Sequence, residues 1–82
     1  MSKYDPLKSR LTAFREDSLA LSFEEIEALI GHPLPPSSRD YDEWWSNEDP
    51  EKTTHSQSKA WVTAGFTAEV DRLRRHVTFR RK

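Results

Sequence analysis

The stretch Leu21–Gly31, LSFEEIEALIG, constrains this chain more than any other segment, because both ends of a helix are written into it. Ser22 followed by Glu25 is a capping box, in which each side chain satisfies the other residue's backbone N–H. Leu21 and Ile26 occupy the two positions of a hydrophobic staple. Phe23, Ile26, Leu29 and Ile30 recur at helical spacing and form one apolar face. Glu24 and Glu25 sit at the positive end of the helix dipole. Gly31 stands where a left-handed terminating residue belongs. A helix over 23–30 follows, and the rest of the fold must use its apolar face.

The flanking segments read less sharply. Residues 4–15 predict a helix, with Asp5 as N-cap, Pro6 in the first turn, and Leu7, Leu11 and Phe14 on one face. Leu19-Ala20-Leu21 is long enough for one short strand. His32-Pro33-Leu34-Pro35-Pro36 stops any helix. Ser37 or Ser38 then caps a short helix bearing Tyr41, Trp44 and Trp45, and residues 48–54 read as a polar exposed loop. A helix over 55–64 turns Gln57, Ala60, Trp61 and Ala64 inward, and Gly65 ends it. Beyond Gly65 the apolar period changes from 3.6 to 2. Phe66, Ala68 and Val70, then Val77 and Phe79, alternate with polar residues around a basic tip at 72–75, the pattern of a β-hairpin.

This order is helix, short strand, helix, insert, helix, hairpin. It predicts an α+β fold of winged helix-turn-helix type, in one domain over 1–82. The hairpin would pair with the strand near Leu19 to close the open side of the helices. The insert at about 32–54 is the departure, because a compact helix-turn-helix joins these two helices by 3–4 residues.

Eighty-two residues allow one small core. Three tryptophans are more than a disordered tail carries. The absence of cysteine excludes disulfides and thiolate chemistry and fits a reducing cytoplasm. No apolar run approaches the ~20 residues of a membrane span, and MSKYDPLKSR has no apolar signal segment.

The net charge of −1 conceals an asymmetry. Residues 1–22 carry +1, residues 23–54 carry −7 and residues 55–82 carry +5. The basic C-terminal third suits a phosphate backbone. On the 55–64 helix, Ser56, Lys59 and Thr63 would face outward, where such residues meet phosphates and base edges. Arg72, Arg74 and Arg75 would grip the backbone from the hairpin tip. The competing reading is an edge strand guarded by positive charge, or acidic and basic regions that neutralise each other in the fold.

Trp44, Trp45, Asn47, His55 and Gln57 form a second candidate set. Rings beside polar groups suit a base or nucleotide pocket. Equally, the rings build the core, while Asn47 and His55 satisfy backbone groups. Nothing points to catalysis or to a cofactor. His32, His55 and His76 lie on separate elements, no metal-ligand spacing or G-x-S-x-G elbow occurs, and the two glycines are isolated.

YDPL at 4–7, LSFEEIEALIG at 21–31, LP at 34–35, WWSN at 44–47, HSQSKAW at 55–61 and AGF at 64–66 together resemble a family of short bacterial proteins defined only as a domain of unknown function. The resemblance spans nearly the whole chain. It implies a domain found alone and attached to larger proteins, some acting on nucleic acid, and it brings no activity. The expectation from the sequence is a non-enzymatic module that binds double-stranded DNA, with specificity from a homodimer or tethered neighbour. The alternative is an adaptor whose Trp-rich insert docks a protein partner. No membrane is expected to be involved.

Overall fold

The computed structural model describes residues 2–82. Four α-helices and a three-stranded antiparallel sheet make an α+β fold: α1 (Asp5–Ala13), β1 (Ser18–Ser22), α2 (Phe23–Ile30), α3 (Pro36–Asp40), α4 (Ser56–Thr63), β2 (Phe66–Asp71) and β3 (His76–Arg81), with a 3-10 turn at Asp42–Trp45. α2, α4 and the 3-10 turn meet the sheet, and α1 packs on α2 and α4. The strand order is β1-β3-β2, so the C-terminal hairpin recruits the strand before α2, as its sequence pattern requires. Phe79 pairs with Leu19 and Ala68, and Val77 with Leu21 and Val70. This register places Leu19, Phe79 and Ala68 in one row and Leu21, Val77 and Val70 in the next on the helix side, with Phe66 beyond them opposite Arg81. The other face is solvated, and on it Arg80 pairs with Glu69 at 2.8 Å.

α2 forms as its residues dictate. Ser22 Oγ accepts from the Glu25 N–H at 3.0 Å, and Glu25 Oε1 accepts from the Ser22 N–H at 2.8 Å. Gly31 terminates the helix at φ 81°. Replacing Ser22 by alanine removes the capping oxygen, and we expect a loss of ~1 kcal/mol, read as a lower denaturation midpoint with unchanged cooperativity.

Elsewhere the boundaries move. Asp5 is the first residue of α1, and its N-cap is Tyr4. Asp5 instead accepts the Ser2 N–H at 3.1 Å, in the turn that precedes the helix. α1 stops at Ala13 rather than 15, and Phe14 leaves in extended backbone. Neither Ser37 nor Ser38 is a cap. Pro35 holds that position, and Ser38 is buried within α3 with its hydroxyl donating to the Pro35 carbonyl. The expected single helix over Tyr41, Trp44 and Trp45 is broken at Tyr41, whose extended backbone (φ −133°, ψ 128°) separates α3 from the 3-10 turn. On α4 the buried residues are Ser58, Ala60, Trp61 and Val62, whereas Gln57 and Ala64 are half-buried.

The insert belongs to the core. Trp45 is 2% exposed and lies between α2 and α4, stacked on Phe23 at 5.3 Å and on Trp61 at 5.7 Å. Its indole N–H donates to the Ser38 carbonyl at 2.8 Å. Trp61 in turn meets Phe79 of the sheet at 5.9 Å. This row of rings explains the long connection. Here a tryptophan from the insert fills the space between the two helices, so the chain must leave α2, turn through the proline run and return. No helix among the described residues is long and apolar enough to cross a membrane.

Candidate docking surface

The insert presents its outer side as a cleft of ≈ 490 Å³ lined by Ser37, Tyr41, Glu43, Trp44, His55 and Gln57. The break at Tyr41 creates it. With the helix interrupted, the tyrosine ring swings out to 60% exposure instead of joining the core row. Trp44 is half-buried and packs edge-on against Tyr4 at 5.9 Å and Trp45 at 4.7 Å. Gln57 Nε2 donates to the Trp44 carbonyl at 3.4 Å, tying the first turn of α4 to the cleft floor. The surroundings are acidic, since residues 36–51 hold six carboxylates against Arg39.

Trp44, His55 and Gln57 of the expected pocket are therefore together, whereas Trp45 and Asn47 are not among its lining. Asn47 has a different task. Its Oδ1 accepts from Trp61 Nε1 at 2.9 Å and from the Ala68 N–H at 2.7 Å, while its Nδ2 donates to the Ala68 carbonyl at 3.2 Å. One side chain thus pins the insert to α4 and to the outer edge of β2. Ser58, which the apolar pattern of α4 did not single out, is a second pin. Its buried hydroxyl donates to the Ser46 carbonyl and accepts the Glu48 N–H, both at 2.9 Å.

Behind the cleft, Glu48 latches the loop that leads into α4. It accepts from Thr53 Oγ1, from Ser46 Oγ at 2.9 Å and from His55 Nδ1 at 3.0 Å. The hydroxyls of Thr53 and Ser46 hold this carboxyl below its ordinary pKa, and His55 adds to the effect. A depressed pKa means that the latch is complete above the ordinary carboxylate range and is lost as pH falls through the lowered value. We expect the protection of the Thr53 and His55 amides, relative to their intrinsic exchange rates, to fall on acidification, while α2 amides stay protected. In Glu48→Gln the exchange at these two sites should become insensitive to pH beyond the intrinsic chemical rate.

The basic residues separate. Arg72 is already engaged, with its Nε on the Asp42 carboxylate and its Nη1 donating to the carbonyls of Arg39 at 3.3 Å and Asp40 at 3.1 Å. Asp42 raises its pKa, and the guanidinium closes the C-terminal end of α3. Arg72 therefore clamps the hairpin to the insert. Arg74 faces Asp71 at 3.7 Å, and Arg75 is exposed at φ 57°, its carbonyl accepting the Phe23 N–H. Leu73 at the tip is 98% exposed. On α4, Lys59 and Thr63 are exposed and Ser56 is half-buried, and they line a groove shared with Asp5 and Lys8 of α1. No residue lines both that groove and the cleft beside Arg72. Arg81, from the basic last strand, donates to the carbonyls of Phe14 and Glu16 and lies 4.7 Å above the Phe66 ring.

No group of three or more His, Asp or Glu residues among those described is arranged to hold a metal ion. No curated protein and no solved structure matches the chain. A family profile, described as Domain of unknown function (DUF7662), matches residues 4–82, so the chain belongs to that family.

Proposed function

We propose that this domain is a non-enzymatic interaction module whose insert docks a partner protein. The observation that carries the reading is the cleft itself. A half-buried tryptophan and an exposed tyrosine share a concave, acidic surface on a segment pinned from two sides by Asn47, Ser58 and Arg72. Exposed aromatic rings on a pre-ordered frame are what protein interfaces use as anchors, since little entropy is lost on docking. A photo-crosslinking amino acid at position 41, introduced into the cells that make this protein, tests it. The expected result is a discrete protein adduct that is absent when the crosslinker is moved to Lys8 on α1. Equal labelling from both positions, or none from position 41, overturns it.

A second reading is favoured by a separate observation. The hairpin that follows α4 and the β1-β3-β2 sheet are compatible with a winged-helix arrangement, and Lys59 and Thr63 are exposed on α4, the Thr63 hydroxyl donating to the Lys59 carbonyl. In this reading α4 enters a DNA groove, with Lys8 beside it. The acidic insert stands at the start of α4 and against the hairpin tip, where it repels phosphate, and Arg72 is spent on Asp42. We therefore rank DNA binding second. Anisotropy titrations with random duplex at two salt concentrations decide it. Binding that weakens with salt and drops in Lys59→Ala supports DNA, and no binding at low salt removes it.

A further inference from the structure

We propose that the cleft formed by Tyr41, Glu43, Trp44 and Gln57 takes an arginine side chain of the partner, an inference that rests on the docking reading above. Three features of the lining select for this chemistry. First, Tyr41 and Trp44 supply ring surface, on which a guanidinium is held by the ring quadrupole and by its own weakly hydrated plane. Second, acceptors dominate the polar groups. The Glu43 carboxylate has no hydrogen-bond or ion-pair partner among the described residues, and Gln57, whose Nε2 is spent on the Trp44 carbonyl, keeps Oε1 free. Ser37 adds a hydroxyl. Third, among the described residues no lysine or arginine lines the cleft, Glu43 is its one carboxylate, and residues 36–51, which carry it, have a net charge of −5. The lining's imidazole, His55, already faces Glu48 at 3.0 Å, so a phosphate-bearing ligand meets no lysine or arginine there, whereas a cation is drawn in and then paired. The protein already uses the same combination internally, where Arg81 lies over Phe66 while donating to two carbonyl oxygens.

The test follows the Trp44 indole N–H and the Gln57 side-chain amide by nuclear magnetic resonance. The probes are a blocked Gly-Ser-Arg-Ser-Gly peptide and the same peptide carrying lysine or citrulline at the centre. Citrulline keeps the planar shape and loses the charge. We expect saturable shifts at both groups with the arginine peptide, weaker binding with lysine and about tenfold weaker binding with citrulline. Glu43→Gln should weaken the arginine peptide about fivefold and leave the citrulline peptide unchanged, because only the ion pair is removed. Trp44 also packs on the core, so Tyr41→Ala, at an exposed ring, serves as the variant that keeps the fold, and it should weaken the arginine peptide. Equal binding of arginine and citrulline peptides overturns the inference, as does an unchanged response in Glu43→Gln or no shift with any peptide. A protein captured at position 41 together with a charge-blind cleft overturns this inference alone. An arginine-selective cleft with no captured protein overturns the docking reading alone.

Discussion

Trp61→Ala is expected to leave the domain largely unfolded at room temperature. The ring is wholly buried, touches Trp45 and Phe79, and donates its indole N–H to Asn47 at 2.9 Å. Truncating such a ring costs about 3–5 kcal/mol from lost burial and the cavity left behind. It also removes one of the two hydrogen bonds that the Asn47 oxygen accepts and leaves Trp45 stacked on one side only. A domain this small sits near the lower end of the usual stability range of about 5–15 kcal/mol, so one substitution consumes most of it. Thermal unfolding by circular dichroism is the measurement. Trp61→Phe should lie between the two proteins, since it keeps most of the ring stack and loses the hydrogen bond. A cooperative transition within a few degrees of the wild type in Trp61→Ala would show that the row of rings does not hold the core.

Asn47→Ala should cost about 2–3 kcal/mol, more than its exposed position on the surface suggests. The mutation removes three hydrogen bonds at once and leaves the buried Trp61 N–H without a partner. The Ala68 backbone groups at the edge of β2 return to water and lose little, so the main cost lies at the indole. Because the side chain joins the insert to α4 and β2, the effect should be both local and global. Amide exchange should quicken across residues 36–48 before the sheet is affected. Chemical denaturation checks the magnitude. A midpoint unchanged from wild type would mean that Trp45 packing and the Ser58 and Arg72 contacts hold the insert without Asn47. The peptide response of the cleft should fall in the same variant, since the cleft depends on the insert being held.

Much of the fold was legible in local chemistry. The capping box, the glycine stop and the apolar spacing specify α2 without reference to anything distant, because each group is satisfied within four residues. The alternation after Gly65 specifies the hairpin for a similar reason, and the apolar faces of β1 and the hairpin select their register. The insert departs from its local pattern. Tyr41, Trp44 and Trp45 stand at helical spacing, yet the chain breaks at Tyr41, and Trp45 stacks between Phe23 and Trp61. Arg72 gains a role that its local sequence does not encode. Its position in a basic run suggested a phosphate contact, but three oxygens of the insert reach it first.

The sequence by itself determined the existence and type of nearly every element, the pairing of the hairpin with β1, and the division into acidic middle and basic end. These depend on short-range periodicity, caps and charge counts. The tertiary structure alone decided that a 3-10 turn in the insert completes the core, that Asn47 and Ser58 pin it, and that Arg72 serves as its clamp. It alone also placed an exposed tyrosine and an unpaired glutamate on one cleft. Those outcomes depend on groups 10 to 33 residues apart meeting in space, and no local pattern encodes which long-range partner a polar side chain finds first.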